Sequence, residues 1–179
     1  DTTKAGKHAI DYLGTYNQTV TTANPCVGVS GCSGPGDTEA VPLDPQVTGF
    51  TPTAGNFTLF GGTITGLSAY SYPDGAGFVG NKSAQIDITF TASFANPVLS
   101  WSGHIADRHD WGENNSAVAI SGSPYHMRLI DLDGSGGNQD RSLSAAAVIF
   151  PGSITVVKVA APEGATSFPV QHASIPTPC

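Results

Sequence analysis

The amino-acid sequence predicts an all-β fold, arranged as an antiparallel β-sandwich or in a jelly-roll-like way, with a short N-terminal helix and a long disulfide-pinned loop. Many short strand-like runs follow one another, and turn-forming residues separate those runs. The chain of 179 residues contains 22 Gly and 13 Pro, which suits many short strands joined by turns. Its length is typical of one domain with a sizeable core.

The first predicted element is a short helix over residues 4–16. Gly6 and Gly14 limit it to about two turns, because glycine weakens a helix interior. Four apolar side chains could share one face of this helix, namely Ala5, Ala9, Ile10 and Leu13. Residues 23–54 follow as a long stretch rich in Pro, Gly and Asp, which we expect to be an ordered surface excursion.

Cysteine spacing adds a covalent constraint to that excursion. Cys26 and Cys32 bracket a flexible spacer, and a disulfide between them is the preferred interpretation, since two free thiols in a glycine-rich loop would be prone to oxidation. A metal pair is the alternative, but CxxC spacing and further ligands are missing. Three states stay open for Cys179: a free thiol, a bond to another chain, or a residue that marks a cut or an addition.

Strands dominate the middle of the predicted fold. Residues 56–72 contain two strand-like runs that break at Gly61–Gly62. The clearest strand is 84–94, in which apolar and polar residues alternate strictly. Residues 98–103 are expected to form its partner strand. The apolar face of 84–94 would hold Ile86, Ile88, Phe90, Ala92 and Phe94, and its polar face would hold Asp87, Thr89, Thr91 and Ser93.

Further strands are predicted towards the C-terminus. They lie at residues 117–120, 125–130, 144–150 and 153–159, and a Pro-Gly turn separates the last two. We therefore expect residues 1–152 to form the β-sandwich domain. Residues 153–179 would form a C-terminal strand or extension, either as the start of a following domain or as a donor strand.

Charge composition argues against some partners. The formal net charge is −7, and only seven Lys and Arg residues are present, scattered along the chain. Because a phosphate-tracking surface needs clustered positive charge, we expect no nucleic-acid partner. No apolar run approaches the roughly 20 residues of a membrane-spanning helix, so no membrane span is expected.

Four Asn-x-Ser/Thr sequons are candidate glycosylation sites. They begin at Asn17, Asn56, Asn81 and Asn114. Chance alone supplies some sequons in a chain this rich in Ser and Thr, and that is the alternative interpretation.

The acidic loop at residues 131–142, "DLDGSGGNQDRS", is a candidate calcium site. Calcium takes roughly six to eight oxygen ligands, and the loop could supply them from Asp131, Asp133, Ser135, Asn138 and Asp140. An EF-hand is not expected, because Ser142 stands at the twelfth position, where that loop needs a bidentate Glu. The alternative is a turn between strands, in which Asp and Asn cap backbone N–H groups and Gly supplies positive φ.

A second cluster of potential ligands lies at residues 104–115. It contains His104, Asp107, His109, Asp110 and Glu113, and histidine together with carboxylates suits zinc. The spacing lacks an HExxH or HxH pattern, so a structural loop with local ion pairs is the favoured interpretation. No G-x-S-x-G motif is present either, and we expect no enzyme activity.

Aromatic residues offer a third kind of site. Tyr70, Tyr72 and Trp111 are candidates for stacking on the apolar faces of sugars. Isolated aromatic residues in a β-sandwich more often belong to the core, which is the alternative interpretation.

Most of the chain resembles a module of large secreted bacterial surface proteins, which in those proteins precedes prealbumin-like β-sandwich repeats. Residues 101–158, which contain "WSGHIADRHDWGENN" and "SPYHMRLIDLDGSGGNQDRSL", carry the resemblance, together with "DTTKAGKHAIDYL" (1–13) and "NPCVGVSGC" (24–32). The resemblance implies a secreted or cell-surface protein with a non-enzymatic structural or adhesive role. It brings no catalytic residues to this chain.

Two departures from the pattern of that module suggest self-assembly. An earlier strand precedes "DTTK" in the module, whereas Asp1 is the first residue here, and residues 151–170 resemble the opening of the next prealbumin-like domain. A sheet that lacks one strand could accept a surplus C-terminal strand from a neighbouring copy, and such head-to-tail contacts build filaments. The alternative function is a calcium-assisted carbohydrate-binding module that recognises surface glycans.

Overall fold

Strands form almost all of the regular structure, as predicted for an all-β chain. The computed structural model describes residues 2–121, 125–136 and 138–143. One helical turn, α1 (Arg108–Trp111), and one 3₁₀ turn (Ala117–Ala119) lie in this described part, where no helix is long and apolar enough to cross a membrane. The strands there are β1 (Thr3–Lys4), β2 (Lys7–His8), β3 (Ile10–Gly14), β4 (Asp37–Ala40), β5 (Asn56–Phe60), β6 (Gly62–Leu67), β7 (Ile88–Ala92), β8 (Val98–Ser100), β9 (Ser102–Ile105), β10 (Tyr125–Leu129) and β11 (Gln139–Leu143).

The sheets that these strands form are small and antiparallel. β5 is the central strand of a sheet ordered β4–β5–β8, and the remaining strands pair as β1–β2, β3–β9, β6–β7 and β10–β11. Apolar residues face each other across the ladders, as Leu59 does with Leu99 and Ile64 with Phe90. Such pairs fix the register, because a slip by one residue would turn each side chain to the opposite face.

One apolar cluster joins three of these sheets. Its buried residues are Phe57 and Leu59 of β5 and Ile64 of β6. β5 is buried at four consecutive residues, from Phe57 to Phe60, so both of its faces are covered. The partly buried side chains that pack against the cluster come from or adjoin β3, β4, β6, β7 and β8, and they are Leu13, Val41, Leu67, Ile86, Ile88, Phe90, Leu99 and Trp101.

The prediction of a short helix over residues 4–16 is wrong, because β1, β2 and β3 lie in that segment. Ala5 and Gly6 form the tight turn between β1 and β2, with φ angles of 52° and 75°. A two-residue turn with two positive φ angles matches the twist of antiparallel strands. The backbone N–H groups of Thr2 and Thr3 also donate to the carbonyl of Lys82. Pairing with remote backbone therefore overrides the local helical periodicity.

The strand predicted at residues 84–94 is confirmed over Ile88–Ala92, but its partner is not the one expected. β7 pairs with β6, whereas residues 98–103 divide at Trp101 into β8, which pairs with β5, and β9, which pairs with β3. The apolar face is correct from Ile86 to Phe90, whereas Ala92 and Phe94 are exposed. The single strand predicted at residues 98–103 is therefore two strands, which belong to two different sheets.

The other strand predictions have mixed outcomes. The two runs within residues 56–72 are β5 and β6, and the run at 125–130 is β10. The strand predicted at 117–120 is wrong, since Ala117–Ala119 form a 3₁₀ turn in which the Ala119 N–H bonds locally to the Ser116 carbonyl. The strands predicted at 144–150 and 153–159, the extension 153–179 and Cys179 lie outside the described residues.

The predicted disulfide between Cys26 and Cys32 is present, and both cysteines are buried. They form a second small core cluster with Phe60 of β5. The long excursion of residues 23–54 is therefore anchored near its start, and it contains one regular strand, β4.

Replacing both Cys26 and Cys32 by Ser is expected to lower the free energy of unfolding by about 2 kcal/mol, because the cross-link restricts the unfolded chain and its short loop gives the lower part of the usual range. The two cysteines are 6 positions apart in the sequence. Chemical denaturation of the oxidised wild type and the double variant measures the difference. An unchanged midpoint would contradict the expectation and would mean that the contacts with β5 hold this loop unaided.

Candidate functional site

The buried carboxylate of Asp11 organises the richest group of polar and aromatic side chains in the described structure. Asp11 lies on β3, and its side chain has no solvent exposure. Its Oδ1 accepts hydrogen bonds from the His104 ring Nδ1 at 2.8 Å and from the Tyr12 backbone N–H at 3.0 Å. Its Oδ2 accepts a hydrogen bond from Trp111 Nε1 at 2.9 Å. One carboxylate therefore connects β3 with β9 and α1.

Aromatic rings pack around this carboxylate. The His104 ring stacks on Tyr12 with centroids 4.4 Å apart, and the His8 ring stacks on Trp111 at 3.4 Å. Phe50 and Phe78 meet the Trp111 ring edge-on. We call this group the Asp11 cluster, and its members are His8, Asp11, Tyr12, Phe50, Phe78, His104 and Trp111.

Burial and charge set the pKa values of the two histidines of the Asp11 cluster in opposite directions. Burial of the His104 ring lowers its pKa, but the hydrogen bond to Asp11 and the charges of nearby carboxylates outweigh burial and raise the pKa above its ordinary value of 6.5. Burial lowers the pKa of His8, and the charge of Asp11 offsets only part of that effect. The His104 side chain is 29% exposed, so this ring can exchange a proton with solvent or with a bound molecule.

The five potential ligands predicted at residues 104–113 do not form one site. His104 bonds to Asp11, as described, and Glu113 lies 3.9 Å from Arg108. Only the remaining three converge, with their ligand atoms all within 4.8 Å of one another: Asp107, His109 and Asp110.

The convergence of Asp107, His109 and Asp110 has a local structural cause. Asp107 caps the single turn α1, because its Oδ1 accepts hydrogen bonds from the His109 and Asp110 backbone N–H groups at 2.8 and 3.0 Å. The His109 ring lies 2.9 Å from Asp110 Oδ1, and the side chain of His109 is 93% exposed. This hydrogen bond and the charges of the two carboxylates raise the pKa of His109. The group therefore matches the structural loop that the sequence favours, and zinc binding stays the untested alternative.

The acidic loop contains a tight turn at its start. The backbone groups of Leu132 and Ser135 bond to each other in both directions at 3.0 Å, and Asp131 Oδ1 accepts from the Gly134 N–H at 3.1 Å. Asp133 occupies the left-handed region with a φ of 52°. These contacts match the turn interpretation of the loop.

Asp140 lies apart from that turn, on β11 opposite Arg128. Its Oδ2 is 3.2 Å from both Arg128 Nη2 and His126 Nδ1. The hydrogen bond from Arg128 is the main reason why the pKa of Asp140 lies below its ordinary value. A calcium ion that used Asp140 would have to compete with this ion pair, so the calcium site predicted from Asp131, Asp133, Ser135, Asn138 and Asp140 stays a prediction.

The predicted sugar-stacking residues occupy two different environments. Trp111 belongs to the Asp11 cluster, where His8 covers one face of the indole. The Tyr72 hydroxyl instead donates to Asp44 Oδ1 at 2.6 Å. Burial, followed by interactions with Asp44, raises the pKa of both Tyr70 and Tyr72 to about 12.

The predicted glycosylation sites are all exposed, which suits modification, at Asn17, Asn56, Asn81 and Asn114.

Sequence reasoning missed Asp11, the central residue of the cluster. Asp11 is a single carboxylate between Ile10 and Tyr12 in the run "AIDYL", and that placement was an available signal. A carboxylate on a buried strand needs hydrogen-bond partners, because burying an unpaired charge is costly. Its partners His104 and Trp111 lie about a hundred positions later in the sequence, so no local pattern identifies them.

Comparisons of this chain with protein-family models, with curated proteins and with solved structures found no match.

Proposed function

We propose that this chain is a secreted or cell-surface structural or adhesive module without enzymatic activity, built as a β-sandwich or jelly roll, which assembles with copies of itself by strand addition at β7. The observation that carries this proposal is the outer edge of β7. Among the described residues β7 pairs with β6 alone. An edge strand presents unpaired backbone N–H and C=O groups, and another chain can pair with them.

The opposite side of the β6–β7 sheet supports addition at β7 rather than at β6. The backbone N–H of Ile64 on β6 donates to Asp37 Oδ2 of β4 at 2.8 Å. β4 therefore borders β6 and takes up hydrogen-bonding capacity on that side. The outer edge of β7 is the more accessible one for a neighbour.

The residues of β7 also lack the usual protection of an edge. The segment Ile88–Phe94, "ITFTASF", contains no charged residue and no proline. By contrast, β4 carries Asp37 and Glu39, and β11 carries Asp140 and Arg141. Charged side chains on an edge oppose pairing with other chains, whereas uncharged segments rich in β-branched and aromatic residues favour it.

One feature supports the extracellular part of the proposal. The Cys26–Cys32 disulfide suits an oxidising compartment. Residues 153–159, "SITVVKV", have the composition of a strand that one copy could donate to β7 of another.

The proposal predicts that charge on β7 abolishes assembly. We expect the wild type to form oligomers or filaments at high concentration, and the double variant Thr89→Lys/Thr91→Lys to remain monomeric, because lysines on an edge strand oppose pairing. The matched control is Thr63→Lys/Thr65→Lys, which places the same charges on exposed positions of β6. Light scattering and electron microscopy of all three proteins measure the effect, and the control is expected to assemble.

Removal of residues 153–179 identifies the donor strand in the same assay. Loss of assembly would assign the donor to that segment, and retained assembly would assign it to β7 of a second copy. The proposal fails if the wild type stays monomeric at high concentration, or if the β6 control loses assembly to the same extent as the β7 variant.

A further inference from the structure

Cationic side chains converge on one polar cleft, although the chain as a whole is acidic. The cleft has a volume of about 340 Å³ and lies where β1, the loop of residues 74–83 and the β10–β11 hairpin meet. Its cationic lining comes from Lys4, Lys82 and Arg128, and the His126 side chain also lines it. Three of the seven Lys and Arg residues in a chain of net charge −7 therefore line a single cleft.

The cleft is held by contacts that the protein makes within itself. The backbone N–H groups of Thr2 and Thr3 donate to the Lys82 carbonyl, and the Lys82 N–H donates to the Thr3 carbonyl. The Lys82 ammonium also donates to the backbone carbonyl of Asp74. These bonds fix the start of β1, next to Lys4, against the backbone of Lys82, so a ligand would meet backbone that is already positioned.

The hairpin supplies the opposite wall. Arg128 on β10 lies directly across from Asp140 on β11, and the two side chains form an ion pair at 3.2 Å. His126 approaches the same carboxylate oxygen. The Arg128 side chain is half exposed. Its guanidinium has several N–H donors, and the bond to Asp140 uses only some of them. It can therefore accept a second anionic partner in the cleft.

We propose that this cleft binds an acidic saccharide, a sugar that carries a carboxylate. The cations would hold the carboxylate of the sugar, since charge-assisted hydrogen bonds from Arg and Lys to carboxylates are strong. The cleft also contains groups that accept or exchange hydrogen bonds with sugar hydroxyls, namely Asp74, Asn81 and Ser83. A volume of about 340 Å³ falls in the range of small-molecule sites.

The mixed lining distinguishes a sugar acid from a bare anion. Asp74 and Asp140 would repel the doubly charged form of phosphate more strongly than the single carboxylate of a sugar acid, and the hydroxyl groups of a sugar can donate to both side chains. This site is independent of strand addition at β7, so assembly and saccharide binding can fail separately.

Titration of the full chain with D-glucuronate, D-glucose and inorganic phosphate, followed by amide NMR spectra, tests the proposal. We expect saturable shifts with glucuronate at residues of the cleft and binding of glucose and phosphate at least about tenfold weaker, a difference equivalent to about 1.4 kcal/mol. Arg128→Gln should weaken glucuronate binding at least about tenfold, because it removes a charge-assisted contact.

Arg141→Gln is the matched control, because Arg141 lies on the same hairpin and lines only the neighbouring cavity beside Trp101 and Met127, whereas Arg128 lines both that cavity and the proposed cleft. It is expected to leave glucuronate affinity unchanged. Should Arg128→Gln fail to fold, as its spectrum would show, Lys4→Gln provides the same comparison. The proposal is overturned if glucuronate does not bind saturably, if phosphate or glucose binds as tightly, or if Arg141→Gln weakens binding as much as the cleft variants.

Discussion

Asp11→Ala is expected to destabilise the protein by about 3 kcal/mol, because it leaves partly buried donors without their acceptor. In the wild type the carboxylate accepts hydrogen bonds from the His104 ring, the Trp111 indole and the Tyr12 backbone N–H. Loss of the carboxylate also removes the side-chain hydrogen bonds that link β3 to His104 of β9 and to Trp111 of α1. Denaturant unfolding of wild type and variant measures the change in the free energy of unfolding.

The control for this prediction is Asp110→Ala, which breaks the other Asp–His pair of the same region. The His109 side chain is 93% exposed and that of Asp110 is 15% exposed, whereas the Asp11 side chain is fully buried. Exposed pairs contribute little to stability, since water screens them. We therefore expect a far smaller loss for Asp110→Ala, and similar losses for both variants would contradict the central role of Asp11.

The pairing of His104 with Asp11 also gives the prediction a pH signature. Because the pKa of His104 is raised in the folded protein, its stabilising effect is fully present below the unfolded value of 6.5 and is lost as the pH rises through the folded pKa. Burial lowers the pKa of His8, which acts in the opposite sense. NMR titration separates the two rings: the pKa of His104 should lie above 6.5 and that of His8 below it. Asp11→Asn should lower both pKa values, and that of His104 more, because His104 loses a charge-assisted hydrogen bond as well as the nearby charge.

Phe57→Ala is expected to cost about 4 kcal/mol, the usual range for removing a fully buried phenyl ring and leaving a cavity. Phe57 is 1% exposed and lies in the cluster that joins the sheets of β3, β5 and β6. Because both faces of β5 are covered, neighbouring side chains cannot easily collapse into the space. Thermal and denaturant unfolding measure the loss.

Phe94→Ala is the matched control for the β5 variant. Phe94 is 53% exposed, although the sequence placed it on the apolar face of its strand. A loss below about 1 kcal/mol is expected for this surface position. If Phe94→Ala destabilised the protein as much as Phe57→Ala, the assignment of the core to β5 and β6 would be incorrect.

The sequence predicts those parts of the fold that depend on neighbouring residues. The break at Gly61–Gly62 separates β5 from β6, and alternation places Ile86, Ile88 and Phe90 in the core. The short spacing of Cys26 and Cys32 suffices to predict their bond. In each case the signal lies within about ten residues, where backbone geometry couples side-chain direction to position.

The predictions that are wrong concern segments whose structure depends on residues remote in the sequence. Residues 4–16 have a helical periodicity, but the backbone of β1 pairs with a segment near residue 82, and β3 pairs with β9. Residues 98–103 show one continuous strand pattern, yet the fold divides them between two sheets at Trp101. The partners that decide these outcomes are remote in sequence, so their contribution is absent from any local window.

The candidate sites follow the same division. Residue types identify His104 and Trp111 as candidate site residues, and composition, strand pattern and cysteine spacing indicate an acidic, all-β chain with one short disulfide loop. Only the tertiary structure brings Asp11 to His104 and Trp111, and only it gathers Lys4, Lys82 and Arg128 around one cleft. The physical reason is that secondary-structure preference acts between neighbours, whereas burial, charge pairing and sheet pairing act between segments that meet only when the chain folds.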